Sequence, residues 1–130
     1  MQTLTYSLLV LGAPHQGGAY SALRFAEALA DAGQTLYRVF FLDDGVLAGS
    51  ANAVAAQDGL DLHARWGALH ARCGVDLVLC VSSALRRGLL DDGEARRYGK
   101  SVSVAAPFAI SGLGQLVDAC IASDRVVSFG

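Results

Sequence analysis

Short apolar runs alternate along this chain of 130 residues with segments whose apolar residues recur at helical spacing. Strands of a parallel sheet are buried on both faces and have continuous apolar runs, whereas the helices that connect them are amphipathic. The pattern predicts strands at 6–11, 36–42, 76–81, 107–110 and 125–129, and helices at 21–32, 60–73, 91–98 and 111–122. We therefore expect a three-layer α/β fold, in which helices cover both faces of a mostly parallel sheet of about five strands.

The length fits a single domain over residues 1–130, but the chain is more apolar than a monomer of this size requires. Mean hydropathy is +0.40, and 53% of the residues are apolar. No apolar run approaches the roughly 18–20 residues that a membrane-spanning helix needs. The excess of apolar residues indicates a buried parallel sheet together with a subunit interface. A high alanine content would give the same mean hydropathy without an interface.

Charge and cysteine content exclude several classes of function. Ten basic residues oppose twelve acidic ones, for a net charge of −2, and they form no basic stripe. Direct binding of nucleic acid is therefore not expected, since neutralising phosphates needs clustered lysine or arginine. Residues 1–6 lack the features of a secretion signal, so we expect a cytoplasmic protein. Three cysteines without metal-ligand spacing predict neither a disulfide framework nor a zinc site.

Cys80 lies at the end of the third apolar run and is followed by Ser82 and Ser83. The pattern predicts a buried strand that brings a thiol to the start of a helix, with Ser82 or Ser83 as the helix cap. A helix start carries unpaired N–H groups and partial positive charge, which favour a thiolate. Arg86 and Arg87 add positive charge within the next turns. We predict a reactive thiol at Cys80; the alternative is a core cysteine that only fills space.

The spacing of Cys80 and Arg86 formally matches the Cys-x5-Arg signature of cysteine-dependent phosphatases. In that chemistry a loop of backbone amides holds the phosphate, the thiolate attacks phosphorus and the arginine binds phosphate oxygens. The five residues between Cys80 and Arg86 include no glycine that would let such a loop curl. A phosphatase therefore stays as a second hypothesis.

The three histidines show no metal-binding pattern. His15 lies in a turn at 12–18 that contains three glycines and lacks the nucleotide-binding signatures. It could tune the Cys80 thiol if the first and third strands were neighbours, and is otherwise an exposed loop residue. His63 and His70 lie two turns apart on one predicted helix, too far for one metal ion, and we expect them on a solvated face.

The remaining candidates have structural interpretations. Cys73 and Cys120 fall within predicted helices, and we expect both to serve helix packing. Acidic residues at the start of the short helix 91–98 are expected to be helix-terminal charges rather than a catalytic carboxylate pair. These residues are Asp91, Asp92 and Glu94.

Four segments carry a resemblance to a known family: 38–41 (RVFF), 80–88 (CVSSALRRG), 110–116 (ISGLGQL) and 124–127 (DRVV). With these motifs in this order over nearly the whole chain, the sequence resembles the DsrE/TusD family of sulfur-relay proteins. The resemblance implies a Rossmann-like, DsrE-like α/β subunit. It also implies assembly with two smaller paralogous subunits into a heterohexamer, a dimer of heterotrimers. Ser82 departs from the family, which has alanine there.

The resemblance implies a role for Cys80 as well. Cys80 would receive sulfane sulfur from a donor as a persulfide and pass it to a cysteine of a small sulfur-carrier protein. No metal, nucleotide or organic cofactor is needed for such thiol exchange. The sulfur would end in 2-thiouridine at the tRNA wobble position or enter dissimilatory sulfur oxidation, and the sequence fits both. Ser82, Ser83 and Arg86 would stabilise the sulfur anion; the alternatives are the phosphatase and a non-catalytic structural subunit.

Overall fold

The fold is built on one sheet of five parallel strands, in a computed structural model that describes residues 2–130. The strands are β1 (Thr5–Val10), β2 (Thr35–Phe41), β3 (Asp76–Cys80), β4 (Ala109–Ser111) and β5 (Arg125–Phe129). Their order across the sheet is β4-β3-β2-β1-β5, and each neighbouring pair is parallel. The predicted α/β class and the five-stranded sheet are confirmed.

Helices cover both faces of this sheet. They are α1 (Gly17–Asp31), a 3₁₀ helix (Asp43–Gly49), α2 (Leu62–Cys73), α3 (Val81–Arg86), α4 (Asp92–Tyr98) and α5 (Gly114–Ala122). The ring of Tyr6 meets Phe25 of α1 at 6.1 Å, whereas the hydroxyl of Ser7 bonds to Ser123, directly after α5, at 2.8 Å. Adjacent strand residues point to opposite faces, so α1 and α5 lie on opposite sides of β1.

The core explains why the strands have continuous apolar runs. In β3, residues 77–80 are all buried, because helices cover the sheet on both sides. Phe41 of β2 contacts Trp66 of α2 at 5.4 Å and Phe108 at 5.6 Å between ring centres. This aromatic group joins α2 to the sheet close to the carboxyl ends of the strands.

Two helices begin three or more residues from the predicted start. Helix α1 starts at Gly17 rather than at 21, because Gly18 packs against the carbonyl of Gly130, where a side chain would collide. Helix α5 starts at Gly114 rather than at 111, because Ser111 still pairs with Cys80 as the last residue of β4. The segment predicted as irregular, 43–59, begins with the 3₁₀ helix, whose Val46 is fully buried.

A buried arginine fixes α5 to the amino-terminal half of the sheet. Arg38 of β2 is only 8% exposed. It donates to Asp76 at 2.7 Å, to Asp118 of α5 at 2.9 Å and to the carbonyl of Gln115 at 2.8 Å. Burial lowers the pKa of the Arg38 guanidinium, but these partners outweigh burial and raise it overall. We call Arg38, Asp76, Asp118 and the Gln115 carbonyl the arginine cluster.

The expected packing role of Cys73 and Cys120 is wrong, because both side chains are exposed. Cys73 is the last residue of α2, and its thiol donates a hydrogen bond to the carbonyl of Leu69 in its own helix. Helix α5 packs through Ala119, which leaves the neighbouring Cys120 facing outward. Within residues 2–130, no helix is long and apolar enough to cross a membrane.

Candidate functional site

Cys80 occupies the junction between β3 and α3 at the carboxyl end of the sheet. It is the last residue of β3, has extended backbone angles, and precedes the first residue of α3. Its side chain is 1% exposed. Cys80 itself is therefore the helix cap, and the prediction that Ser82 or Ser83 fills that position is wrong. Strand β3 ends at Cys80 and helix α3 begins at Val81, so no residue between them can serve as a separate cap.

Because Cys80 is the helix cap, Ser82 and Ser83 have a different role. They become the second and third residues of α3, whose N–H groups have no partner within the helix. The Ser82 hydroxyl lies 3.5 Å from the Cys80 sulfur. No cap hydrogen bond joins the Cys80 side chain to the first turn. The N–H and O–H groups of both serines nevertheless lie where they favour a negative charge on sulfur.

The pKa of the Cys80 thiol reflects two opposing effects. Burial raises it, because a thiolate loses its hydration. The N–H of Ser83, the hydroxyls of Ser82 and Ser83 and the N–H of Ser82 lower it, and together they bring the pKa below its ordinary value. A lowered pKa gives a larger thiolate fraction near neutral pH, which is what distinguishes a reactive cysteine from an inert one.

Ser83 also connects the thiol to the neighbouring strand. It is 6% exposed, and its hydroxyl accepts a hydrogen bond of 3.0 Å from the N–H of Asp43. Asp43 begins the 3₁₀ helix after β2 and has a φ of 52°, in the left-handed region that is uncommon outside glycine. Ser83 therefore holds the start of α3 against the carboxyl end of β2.

Arg87, rather than Arg86, braces the site. Its guanidinium donates to Asp44 at 2.9 Å and to the carbonyl of Ser83 at 3.1 Å. Sequence reasoning missed Asp43 and Asp44 and took Arg87 only as a positive charge near the thiol. These contacts join segments about forty residues apart, and no local pattern marks them.

Arg86 points elsewhere. It is exposed, and within residues 2–130 no hydrogen bond or ion pair joins it to Cys80. It lines a groove of about 380 Å³ together with Leu85, Gly88, Leu90, Tyr98 and Lys100. The structure thus brings Ser82 and Ser83 to the thiol but leaves Arg86 on the adjoining surface.

The phosphatase hypothesis needs a loop between Cys80 and Arg86 that curls around a phosphate. Residues 81–86 form helix α3 instead. In a helix the later amides bond to carbonyls of the preceding turn, so they cannot point together at one anion. The geometry therefore does not support phosphatase chemistry at Cys80.

The histidines lie apart from the thiol. Strand β2 separates β1 from β3, so the condition under which His15 could tune Cys80 is not met. His15 is exposed and lines a cavity of about 420 Å³ with Leu47 and His63, among others. The expected solvated face of His63 and His70 is wrong, because both are half-buried. Their Nδ1 atoms donate to the carbonyls of Ala48 at 2.8 Å and Val75 at 2.7 Å.

The acidic residues of α4 have the structural role that the sequence predicted. The Asp91 carboxylate accepts a hydrogen bond of 2.9 Å from the N–H of Glu94 and so caps the helix. Asp92 and Glu94 lie in the first turn, where negative charge offsets the helix dipole.

Comparison with known proteins identifies the family. The family model described as DsrE/DsrF-like matches residues 5–129. The chain belongs to the DsrE/DsrF-like family. A relative from Pseudomonas aeruginosa, named as a sulfurtransferase TusD homolog, is 44% identical over 128 residues, which are 98% of each chain. A relative from Allochromatium vinosum that carries the name DsrE is 42% identical, over 98% of this chain and 99% of its own.

A solved structure shows the same architecture as this DsrE/DsrF-like chain. The crystal structure of the ychN protein from E. coli superimposes with a TM-score of 0.75 and covers 99% of this chain and 100% of its own. Its sequence is 22% identical, so the likeness bears on the fold.

Proposed function

We propose that this chain is a sulfurtransferase subunit of a sulfur relay, in which Cys80 carries sulfur as a persulfide. The observation that carries the proposal is the position of Cys80 at the end of β3, where four groups of Ser82 and Ser83 lower the pKa of its thiol. The sulfurtransferase names of relatives that are 44% and 43% identical support the same function.

The chemistry consists of two thiol exchanges. The Cys80 thiolate attacks the outer sulfur of a donor persulfide, forms Cys80–S–SH, and releases the donor as a thiolate. The thiolate of the acceptor then attacks the outer sulfur of Cys80–S–SH, takes that sulfur as its own persulfide, and restores the Cys80 thiolate. Sulfur atoms and electrons balance in both steps, so neither needs an oxidant or a reductant. The serine N–H and O–H groups stabilise the Cys80 anion that starts the first step and ends the second.

Access to the sulfur limits how this proposal can be tested. Cys80 is 1% exposed, so transfer to or from its sulfur requires a change of conformation that lets a donor or acceptor reach it. Slow alkylation is expected of a buried carrier and of a purely structural cysteine alike. Alkylation rates therefore do not separate these two roles, whereas transfer of sulfur does.

An apolar face of α5 supports a role within a larger assembly. Leu113, Val117 and Ile121 recur every four residues and are 55%, 58% and 81% exposed. A contiguous exposed apolar stripe on one helix is typical of a subunit interface. We propose that two smaller paralogous subunits complete a dimer of heterotrimers in the cytoplasm, and that small sulfur-carrier proteins act as donor and acceptor. The acceptor decides between tRNA thiolation and sulfur oxidation.

The decisive experiment is intact-mass spectrometry of the chain, assembled with its partner subunits, after incubation with a persulfidated donor. Wild type should gain one sulfur atom, about 32 Da, that a thiol reductant removes. Cys80→Ser should gain none. The matched controls Cys73→Ser and Cys120→Ser should gain sulfur like wild type, because both residues are exposed and lie outside the site.

Two outcomes would contradict the proposal. One is a folded, assembled wild type that takes up no sulfur. The other is sulfur that stays in Cys80→Ser and disappears in Cys73→Ser or Cys120→Ser, which would place the carrier at an exposed cysteine and leave Cys80 with a packing role.

A further inference from the structure

A groove on the surface next to α3 combines an apolar floor with a basic rim. It has a volume of about 380 Å³. Leu90, which is 6% exposed, contributes to its floor, and the half-exposed ring of Tyr98 forms one wall. Arg86 and Lys100 supply positive charge at its rim. We call this surface the basic groove.

Basic residues are concentrated in the part of the chain that contains this groove. Five of the ten basic residues fall within fifteen positions: Arg86, Arg87, Arg96, Arg97 and Lys100. Arg87 pairs with Asp44, but within residues 2–130 the other four make no ion pair. Of the five basic residues elsewhere, Arg38, Arg65 and Arg72 each pair with a carboxylate, whereas Arg24 and Arg125 make no ion pair within residues 2–130.

Of the four unpaired residues, Arg86 and Lys100 line the groove, and Arg96 and Arg97 do not. Arg96 and Arg97 lie in the last turn of α4, where they offset the partial negative charge of the helix end. The acidic residues of α4 lie in its first turn, at the other end of the helix from Tyr98. Arg86 likewise lies in the last turn of α3, but it and Lys100 line the groove without an ion-pair partner among residues 2–130. A carboxylate-bearing ligand would complement these two charges.

The groove lies at the carboxyl end of α3, and the thiol lies at the start of the same short helix. Ser82 and Arg86 are four residues apart and both exposed, so they lie on the same face of the helix. Arg86 is six positions after Cys80, which corresponds to about 9 Å at the rise of an α-helix. An extended peptide covers that distance in about three residues.

We propose that the basic groove binds the segment of the acceptor protein that surrounds its reactive cysteine. The inference rests on the proposed function and adds the chemistry of the partner. An apolar side chain of that segment enters the groove about three residues from the cysteine, and flanking carboxylates face Arg86 and Lys100. A polypeptide fits better than a nucleic acid, because the floor is apolar and two rim cations neutralise too few phosphates.

The test compares two synthetic acceptor peptides, each with one cysteine and a leucine three residues from it. The leucine is flanked by two glutamates in the acidic peptide and by two lysines in the basic peptide. Wild-type protein, assembled with its partner subunits, is loaded at Cys80 with a small-molecule persulfide, and the loaded fraction is measured first. Transfer of about 32 Da to each peptide is then followed by mass spectrometry.

We expect wild type to transfer sulfur to the acidic peptide about tenfold faster than to the basic one, with the difference shrinking as salt is added. Lys100→Glu should slow transfer to the acidic peptide about fivefold and speed transfer to the basic peptide. The matched control Arg96→Glu makes the same charge change outside the groove and should keep the wild-type preference.

The outcomes separate this inference from the proposed function. If Cys80 takes up no sulfur, the proposed function fails. If Cys80 loads but both peptides react equally, or if Arg96→Glu removes the preference as strongly as Lys100→Glu, the basic groove is not the acceptor site. Binding of a single-stranded RNA that Lys100→Glu abolishes, without any preference between the peptides, would also overturn the inference.

Discussion

The amino-terminal and carboxyl-terminal halves of the sheet each bury a polar side chain, and they treat it in opposite ways. Arg38 is 8% exposed and makes three hydrogen bonds of 2.7 to 2.9 Å, to two carboxylates and one carbonyl. Cys80 is 1% exposed, and its contact with the Ser82 hydroxyl is 3.5 Å long. The arginine cluster stabilises a charge that is always present, whereas the site around Cys80 keeps donors ready for a charge that forms during reaction.

Removing the charge of the arginine cluster should have the largest effect on stability. In Arg38→Met, Asp76 and Asp118 lose their partner, and we expect the free energy of unfolding to fall by about 2 kcal/mol in urea titrations. The loss is smaller than for a fully buried pair, because both carboxylates reach solvent and recover hydration. Sulfur loading of Cys80 by the folded variant should remain close to wild type.

Arg72→Met is the matched control for this prediction. Arg72 pairs with Asp31, but both side chains are more than half exposed, so we expect a loss of no more than about 0.5 kcal/mol. An equal loss in the two variants would show that burial of Arg38 contributes nothing, and the contrast between the two halves of the sheet would not hold.

Ser83→Ala should have the next largest effect, and it acts on both stability and chemistry. The variant removes the acceptor for the Asp43 N–H and one donor to the Cys80 thiolate. We expect a loss of about 1 kcal/mol in the free energy of unfolding, a higher pKa of Cys80, and sulfur loading about two- to threefold slower at pH 7. Unchanged loading would mean that the Ser83 hydroxyl serves packing alone.

The sequence predicted the sheet well because short apolar runs mark the strands locally. The continuous run in β3 and the alternation of strands with amphipathic segments are enough to predict a parallel sheet with Cys80 at a strand end. The helix starts were less well predicted. Whether Gly18 begins a loop or packs against Gly130 depends on a contact more than a hundred residues away.

The site around Cys80 was predicted only in part, for the same physical reason. Ser82 and Ser83 lie next to Cys80 in the chain, so the helix geometry brings them to the sulfur. Arg86 was expected to help them, but the direction of its side chain depends on where α3 begins. Arg87 contacts Asp44, and the N–H of Asp43 contacts Ser83, so these bonds join the segment after β3 to the segment after β2. Such contacts follow from the strand order, which no local pattern contains.

The pH at which Cys80 ionises tests the part of the comparison between the arginine cluster and the Cys80 site that concerns the thiol. In a chain carrying Cys73→Ser and Cys120→Ser, ultraviolet absorbance of the thiolate should show Cys80 ionising below the pH of about 8.5 that is usual for cysteine. The same chain in concentrated urea should ionise at the ordinary value. Because the folded state releases its proton first, stability should rise with pH between the two pKa values. That gain is lost as the pH falls through the pKa of the folded state, and a reversed order would contradict the role of the serines.

Ser82→Ala should have the smallest effect and tests how much of the anion stabilisation comes from side chains. Ser82 is exposed and its hydroxyl makes a long contact of 3.5 Å with the Cys80 sulfur, so its loss should leave the free energy of unfolding within about 0.5 kcal/mol of wild type. Its hydroxyl is one of four groups that lower the pKa of Cys80, and its N–H remains in the variant. We therefore expect loading at pH 7 to slow by less than about twofold. A loss as large as in Ser83→Ala would mean that the exposed hydroxyl, rather than the buried connection to β2, controls the thiolate.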